Sequence, residues 1–148
     1  MIKGIAHQAI RARDMEKTAR FYIEVFGMKE AFRLYTGPNG ECTSIHIYVA
    51  PRQFIEIFKD GQEECKHDDL TIGHHHICYE VENAEKSIEE FRSRGAVIDS
   101  EIKVGFSKCI QFWTHDPDGN KIEFMELPPE CKQIEATERI LAEENATK

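Results

Sequence analysis

The sequence predicts an α+β fold: two β-α-β-β-β modules forming a curved mixed sheet, followed by a C-terminal helix. Three observations carry this reading. The apolar pattern passes from strand-like alternation to helical spacing and back, twice, in the same order. Two residues suited to cap a helix N-terminus, Asp14 and Asn83, stand 69 apart, and Glu16-Lys17-Thr18 aligns with Glu85-Lys86-Ser87 at that offset. A module of this kind cannot bury its sheet alone, so two copies in one chain are expected to pair.

Ile5 to Ala12 alternates as a strand. The Asp14 carboxylate is placed to accept the unpaired N–H groups of a first helical turn. Met15, Ala19, Tyr22 and Phe26 then follow at helical spacing, and Gly27 provides a stop. Phe32 to Tyr35 is extended, Gly37-Pro38-Asn39-Gly40 is a turn, and Thr43 to Ala50 and Gln53 to Phe58 read as strands. The second copy repeats the plan. His74 to Val81 reads as a strand, Asn83 as an N-cap, and Ala84, Ile88 and Phe91 as one helix face ending at Gly95. Val97 to Ile102 is extended, Lys108 to His115 and Lys121 to Leu127 are strands, and Asp116-Pro117-Asp118-Gly119 is the tight turn between them. Pro128 and Pro129 end the last strand. Ile134, Ala136, Ile140 and Leu141 then mark a tail helix over Lys132 to Glu143, placed to pack on the domain or on a partner chain, with a frayed end. The expected organisation is one domain over residues 1–127, with modules at about 1–60 and 72–127, and a helical tail over 128–148.

Composition narrows the function. Of 148 residues, 41 % are hydrophobic and 31 % charged, which is globular rather than disordered. The net charge of −8 disfavours nucleic acid as a partner. No apolar run approaches the roughly 20 residues of a membrane helix, and the N-terminal segment lacks the apolar run of about 7–15 residues that a signal peptide needs. Cys42, Cys65, Cys78, Cys109 and Cys131 are odd in number and lack C-x-x-C spacing. Reduced thiols in a cytoplasmic protein are therefore expected.

Seven histidines remain to be explained, three of them consecutive. His7 lies seven residues before its N-cap, and so does His76, so the repeat selects His76 from the run His74-His75-His76. Glu56 lies within Phe54-Ile55-Glu56-Ile57-Phe58, and Glu123 within Lys121-Ile122-Glu123-Phe124-Met125. A carboxylate flanked by Ile and Phe in a strand is costly unless its charge is compensated. Two such carboxylates and two imidazoles at matching places suit Ni, Co, Zn, Mn or Fe. Alternation puts His74 on the His76 face as a wall or supporting group, and His75 on the other. His46 and His115 read as ordinary hydrogen-bonded or exposed strand histidines, and His67 lies in a polar loop.

At these positions the chain resembles the vicinal oxygen chelate superfamily, and within it the glyoxalase I (lactoylglutathione lyase) type. The carriers are His7, Ile10 and Asp14 at their spacing, Phe21-Tyr22 with Gly27-Met28, Ile55-Glu56, His76-Ile77 with Val81, and the run Asp116-Pro117-Asp118-Gly119-Asn120-Lys121-Ile122-Glu123. The resemblance covers about residues 2–127. It implies the glyoxalase/bleomycin resistance/dioxygenase fold around one divalent metal held by His7, Glu56, His76 and Glu123. The order His, Glu, His, Glu is that of the nickel- or cobalt-activated bacterial glyoxalases, so Ni or Co is favoured, with Zn, Mn or Fe as alternatives. Glu56 separates this chain from similar epimerases, which typically carry Gln there, and from fosfomycin-resistance enzymes, which typically carry His.

The resemblance also implies chemistry. Two adjacent substrate oxygens meet the metal, an enediolate is stabilised, and a carboxylate moves a proton between neighbouring carbons. Glu123 is the expected mobile base and Glu56 its partner. Displacement into an apolar pocket would raise the base's pKa, and Phe54 and Phe58 share the Glu56 face to supply that wall. Arg11, on the His7 face, matches a glutathione-contacting position. Two departures stand against glutathione: Asp60 where these enzymes tend to carry Asn, and Val104-Gly105-Phe106 without the usual Lys, for which Lys103 or Lys108 would substitute. The implied activity converts a 2-oxoaldehyde thiohemiacetal, of glutathione or another thiol, to a 2-hydroxyacyl thioester. The alternatives are a metal-dependent epimerase or isomerase with a non-thiol substrate, and a non-catalytic ligand-binding module. A homodimer is implied, with the four ligands drawn from one chain or from two.

Overall fold

The computed structural model describes residues 2–63, 70 and 72–147. Cys65 and His67, with the polar loop expected around them, lie outside the described residues. The first module runs β1 (His7–Arg11), α1 (Met15–Glu24), β2 (Lys29–Leu34), β3 (Ser44–Ala50) and β4 (Gln53–Phe58). The second runs β5 (Ile77–Glu80), α2 (Ala84–Ser93), β6 (Ile98–Val104), β7 (Ile110–His115) and β8 (Lys121–Glu126), and α3 (Lys132–Ala146) follows. The chain divides into two compact units, Met1–Thr71 with Asp116–Asn120, and Ile72–His115 with Lys121–Lys148.

The α+β class, the doubled β-α-β-β-β order and the tail helix are as the sequence predicts. The mixed sheet is realised as two four-stranded sheets, ordered β1-β4-β3-β2 and β5-β8-β7-β6. In each, the first strand pairs parallel with the last, and the other pairs are antiparallel. A parallel neighbour needs a crossover, and the intervening helix supplies part of it.

The two helices show why the repeat was readable. Both have ten residues, and their bounds differ by the same 69. The Asp14 carboxylate accepts from Lys17 N at 2.9 Å, and the Asn83 side chain accepts from Lys86 N at 2.8 Å. Beyond the helices, Gly27 and Gly95 take φ of 72° and 99°, a region that side chains with a Cβ resist.

Each helix covers one sheet face. In the first unit Ala19 and Tyr22 of α1 are buried together with Ile45, Ile47, Ile55 and Ile57. In the second, Phe91 of α2 meets Phe124 at a ring separation of 4.8 Å, and Phe112 stacks on Phe124 at 5.2 Å. Burying one such side chain is worth about 1.5–3 kcal/mol, so these clusters dominate the cohesion of each unit.

The Asp116–Asn120 turn groups with the first unit and does more than reverse the chain. Asp116 is 1 % exposed and accepts from Asp118 N, Asn120 N, Asn120 Nδ2 and the Tyr22 hydroxyl. Asp118 accepts from Arg13 N at 3.0 Å and from the Thr18 hydroxyl at 2.7 Å. Burial raises the Asp116 carboxyl above its ordinary value, while its donors from Asn120 and Asp118 pull the other way.

The tail helix continues to Ala146 where fraying was expected. Arg139 pairs with Glu143 one turn on at 2.9 Å, and the Thr147 hydroxyl donates to the Glu143 and Glu144 carbonyls, which holds the last turn. Its start is held by Lys132 N on the Ser107 carbonyl and by the Cys109 thiol on Gln133. Of the apolar stripe, Ile134 and Ala136 are half-buried, while Ile140 and Leu141 are 46 % and 52 % exposed. Cys42, Cys78, Cys109 and Cys131 are free thiols. Among the described residues no helix is long and apolar enough to cross a membrane.

Asp116→Ala removes one acceptor from four bonds. It is expected to lower unfolding stability by about 3 kcal/mol. Urea denaturation followed by circular dichroism measures this, and a loss below about 1 kcal/mol would show that water replaces those bonds.

Candidate functional site

Strand alternation sets each functional side chain. In β4, Ile55 and Ile57 are 1 % and 0 % exposed, while Phe54, Glu56 and Phe58 are half-buried on the other face. The parallel register places Ala9 of β1 opposite Glu56. His7 lies two residues before Ala9, on the same face by alternation. Its Nε2 stands 3.6 Å from Glu56 Oε2.

The second unit repeats this register. Cys78 of β5, 69 residues after Ala9, lies opposite Glu123 of β8. His76 precedes Cys78 by two, and its Nε2 stands 3.2 Å from Glu123 Oε2. Glu123 is buried, at 5 % exposure, and the Glu56 side chain is 14 % exposed. Each sheet therefore presents one imidazole against one poorly solvated carboxylate. Among the described residues no three His, Cys, Asp or Glu side chains form a ready cluster for a metal ion. Each pair offers two donors.

His46 is the residue that sequence reasoning passed over. The β3–β4 register sets it directly opposite Glu56, and its Nε2 lies 3.2 Å from Glu56 Oε1. The equivalent residue of the second unit is Trp113, opposite Glu123, with its indole 4.7 Å from the His76 ring. His46 and Trp113 each stand ten residues before their carboxylate, which is the one signal that could have found them.

The histidine run differs from expectation in its backbone. The sequence predicts a strand from His74, but β5 begins at Ile77, so alternation does not sort the three imidazoles. The first ladder partners are Ile77 and Ile122, which leaves His74, His75 and His76 on the approach to the strand. His75 Nδ1 lies 2.7 Å from His76 Nδ1, so one ring donates to the other. His74 is exposed on that approach. His115 pairs with Asp99 at 2.8 Å, in keeping with the ordinary role read for it.

The expected substrate residues are spread over both units. Phe54 packs against Phe32 and Tyr48, with ring centroids 6.0 Å away in each case. Arg11 lies over the Phe58 ring at 5.6 Å and donates to the Lys59 carbonyl at 2.8 Å, so its guanidinium is already engaged. In the second unit, Glu123 lines a cavity of about 630 Å³ with Gln111, Met125, Lys103 and Phe106. A second cavity of about 350 Å³ is lined by His75, Trp113, Lys103 and Lys121.

Cys78 lies opposite Glu123 in the β5–β8 register. Partial desolvation, reinforced by the Glu123 carboxylate beside it, pushes the thiol up to about 12. Negative charge next to a thiol disfavours the thiolate.

Residues 4–124 match the Glyoxalase/Bleomycin resistance protein/Dioxygenase superfamily. The chain belongs to this superfamily. It is 30 % identical over 128 residues to a lactoylglutathione lyase of Salmonella typhimurium, covering 82 % of this chain and 91 % of that protein. It is 28 % identical over 134 residues to a probable chloroplastic lactoylglutathione lyase of Arabidopsis thaliana, and 26 % identical over 144 to a lactoylglutathione lyase of Schizosaccharomyces pombe. The chain spans 37 % and 46 % of the length of these two curated relatives, having matched 86 % and 80 % of itself. A glyoxalase/bleomycin resistance/dioxygenase domain of Frankia sp. shares the fold at TM-score 0.69 and 19 % identity, covering 86 % of this chain and 94 % of that one. A lactoylglutathione lyase of Agrobacterium tumefaciens does so at 0.61 and 17 %, covering 84 % and 94 %.

The thiol at Cys78 is expected to alkylate at least about 100-fold more slowly than free cysteine at about pH 8, because only the thiolate reacts. Glu123→Gln should speed the reaction by removing the neighbouring charge. Mass spectrometry of iodoacetamide-treated protein measures both rates, and equal rates in the two proteins would show that Glu123 does not hold the thiol back.

Proposed function

We propose that this chain is a divalent-metal-dependent lyase of the glyoxalase I kind, converting a 2-oxoaldehyde thiohemiacetal to a 2-hydroxyacyl thioester. The observation that carries the proposal is the repeated half-site. Two sheets with the same parallel register each set one histidine against one shielded carboxylate, His7 with Glu56 and His76 with Glu123. Two neutral imidazoles and two carboxylates suit a borderline divalent cation, with nickel or cobalt as the first choice and zinc, manganese or iron as alternatives. Poorly solvated carboxylates facing imidazoles are a donor set that gains from such a cation. When bound, the ion supplies Lewis-acid stabilisation of negative charge developing on substrate oxygen.

The chain's own residues do the rest. Glu123, buried beside a cavity large enough for a small substrate, takes a proton from one substrate carbon and returns it to the next. Glu56 stays in place between His7 and His46. Phe54 and Phe58 flank Glu56 and keep water from it. Lys103 lines the Glu123 cavity and provides the cation for a substrate carboxylate, the role for which no lysine stands in Val104-Gly105-Phe106. Arg11 and His74 are proposed as further substrate contacts, Arg11 from a guanidinium already braced on Lys59. The partners are a small thiol adduct and a second copy of the chain. The free thiols support a reducing, cytoplasmic setting.

Protein purified without a histidine tag, stripped with chelator and reloaded with nickel, cobalt or zinc, is assayed on methylglyoxal with several thiols. Turnover should return with nickel or cobalt. His76→Ala should lose the metal, and Glu123→Gln should lower kcat by at least about 100-fold. Solvent deuterium exchange into substrate without any thiol requirement would favour an epimerase instead. Absence of both metal retention and turnover would leave only a ligand-binding module.

A further inference from the structure

The two half-sites are alike in register but differ at the residue opposite each carboxylate. In the first unit that residue is His46, which is 8 % exposed, and its ring stacks on Phe32 at 4.0 Å with an interplanar angle of 18°. Its Nε2 lies 3.2 Å from Glu56 Oε1 and 3.2 Å from the hydroxyl of Ser44, which is fully buried. A carboxylate oxygen accepts hydrogen bonds, so donation across this distance calls for the proton on Nε2. Glu56 Oε1 thus faces His46, and Oε2 faces His7. In the second unit Trp113 takes the equivalent place and turns its indole to the His76 ring, while Glu123 has the Cys78 thiol beside it, a weak donor.

We infer that His46 is a positioning residue that clamps Glu56 through Oε1, committing it as a fixed ligand through Oε2 and leaving Glu123 as the carboxylate able to move. The metal-holding part rests on the function proposed above, whereas the clamp itself is a property of the metal-free chain. Three features make the clamp stiff. The Phe32 face holds the ring plane, the Ser44 hydroxyl oxygen shares the Nε2 proton as a second acceptor, and the β2–β3 and β3–β4 ladders fix the spacing of all three residues to Glu56. Groups that orient a metal ligand in this way typically account for about 10–100-fold in metal affinity.

The test has one arm without metal and one with it. Long-range ¹⁵N–¹H NMR of the metal-free protein, at about pH 8 where imidazole is ordinarily neutral, should show His46 protonated on Nε2. Protonation on Nδ1 would mean that Nε2 accepts from Ser44 instead, and it overturns the clamp. In the second arm, cobalt affinity is measured by chelator competition and by the Co²⁺ absorption spectrum. His46→Phe should weaken binding by about 10–100-fold and alter the spectrum. His46→Gln keeps an N–H donor and should recover affinity to within about threefold of the parent. His115→Gln, which changes a histidine paired with Asp99, should leave affinity unchanged. Circular dichroism of each variant separates a folding failure from a binding loss, and His46→Gln with the tautomer reading decides the matter where His46→Phe does not fold. Parental affinity in a folded His46→Phe protein overturns the inference. A parent chain that binds no cobalt overturns the proposed function, and the tautomer then decides the clamp alone.

Discussion

The parallel pairing of first and last strands within each module is the constraint on which the site depends. A parallel ladder fixes which residue faces which along its whole length, and alternation then decides the side. Setting Ala9 opposite Glu56 places His7, two residues before it, on the face of that carboxylate, and setting Cys78 opposite Glu123 brings His76, just ahead of β5, to within 3.2 Å of the other. A slip of one residue would turn the glutamates into the helix-covered cores, among Ile55, Ile57, Ile122 and Phe124. Those apolar neighbours therefore keep the His–Glu pairs in register although none of them belongs to the candidate site. The same residues that bury each sheet against its helix hold the donor pairs on the opposite face.

Repetition gives two comparable half-sites, and divergence at one register position makes them unequal. Both glutamates are shielded from water, which makes a paired imidazole or a cation favourable for each. Glu56 has nitrogen donors or neighbours on both oxygens, from His7 and His46. Glu123 has His76 and a thiol. An N–H donor holds a carboxylate far more firmly than an S–H donor does. In the function proposed above, this difference in partners gives Glu56 the fixed role and Glu123 the mobile one.

Much of this was legible in the residues. The helices could be placed because their N-caps, glycine stops and apolar spacing are local signals, and the 69-residue offset recurs in both helices. The two histidines followed from that offset, and the two glutamates from the cost of a carboxylate inside the last strand of each module. Less legible were features made by residues distant in sequence. Asp116-Pro117-Asp118-Gly119 reads as a turn, yet its carboxylates also serve Arg13, Thr18 and Tyr22. The start of β5 at Ile77 depends on where β8 can pair with it, which the histidine run does not reveal.

What the sequence by itself determined is the α+β class and the doubled module, because these rest on periodicity, capping and internal repetition, and it singled out His7, Glu56, His76 and Glu123 as candidates. Only the tertiary structure decided that His46 stands against Glu56 and Trp113 against Glu123. Cross-strand register arises from hairpin geometry and from the burial of one whole sheet face. A histidine in an alternating strand looks the same from its neighbours whether it meets solvent or a carboxylate. His46 acquires its meaning only when β3 folds back on β4 and brings it to Glu56.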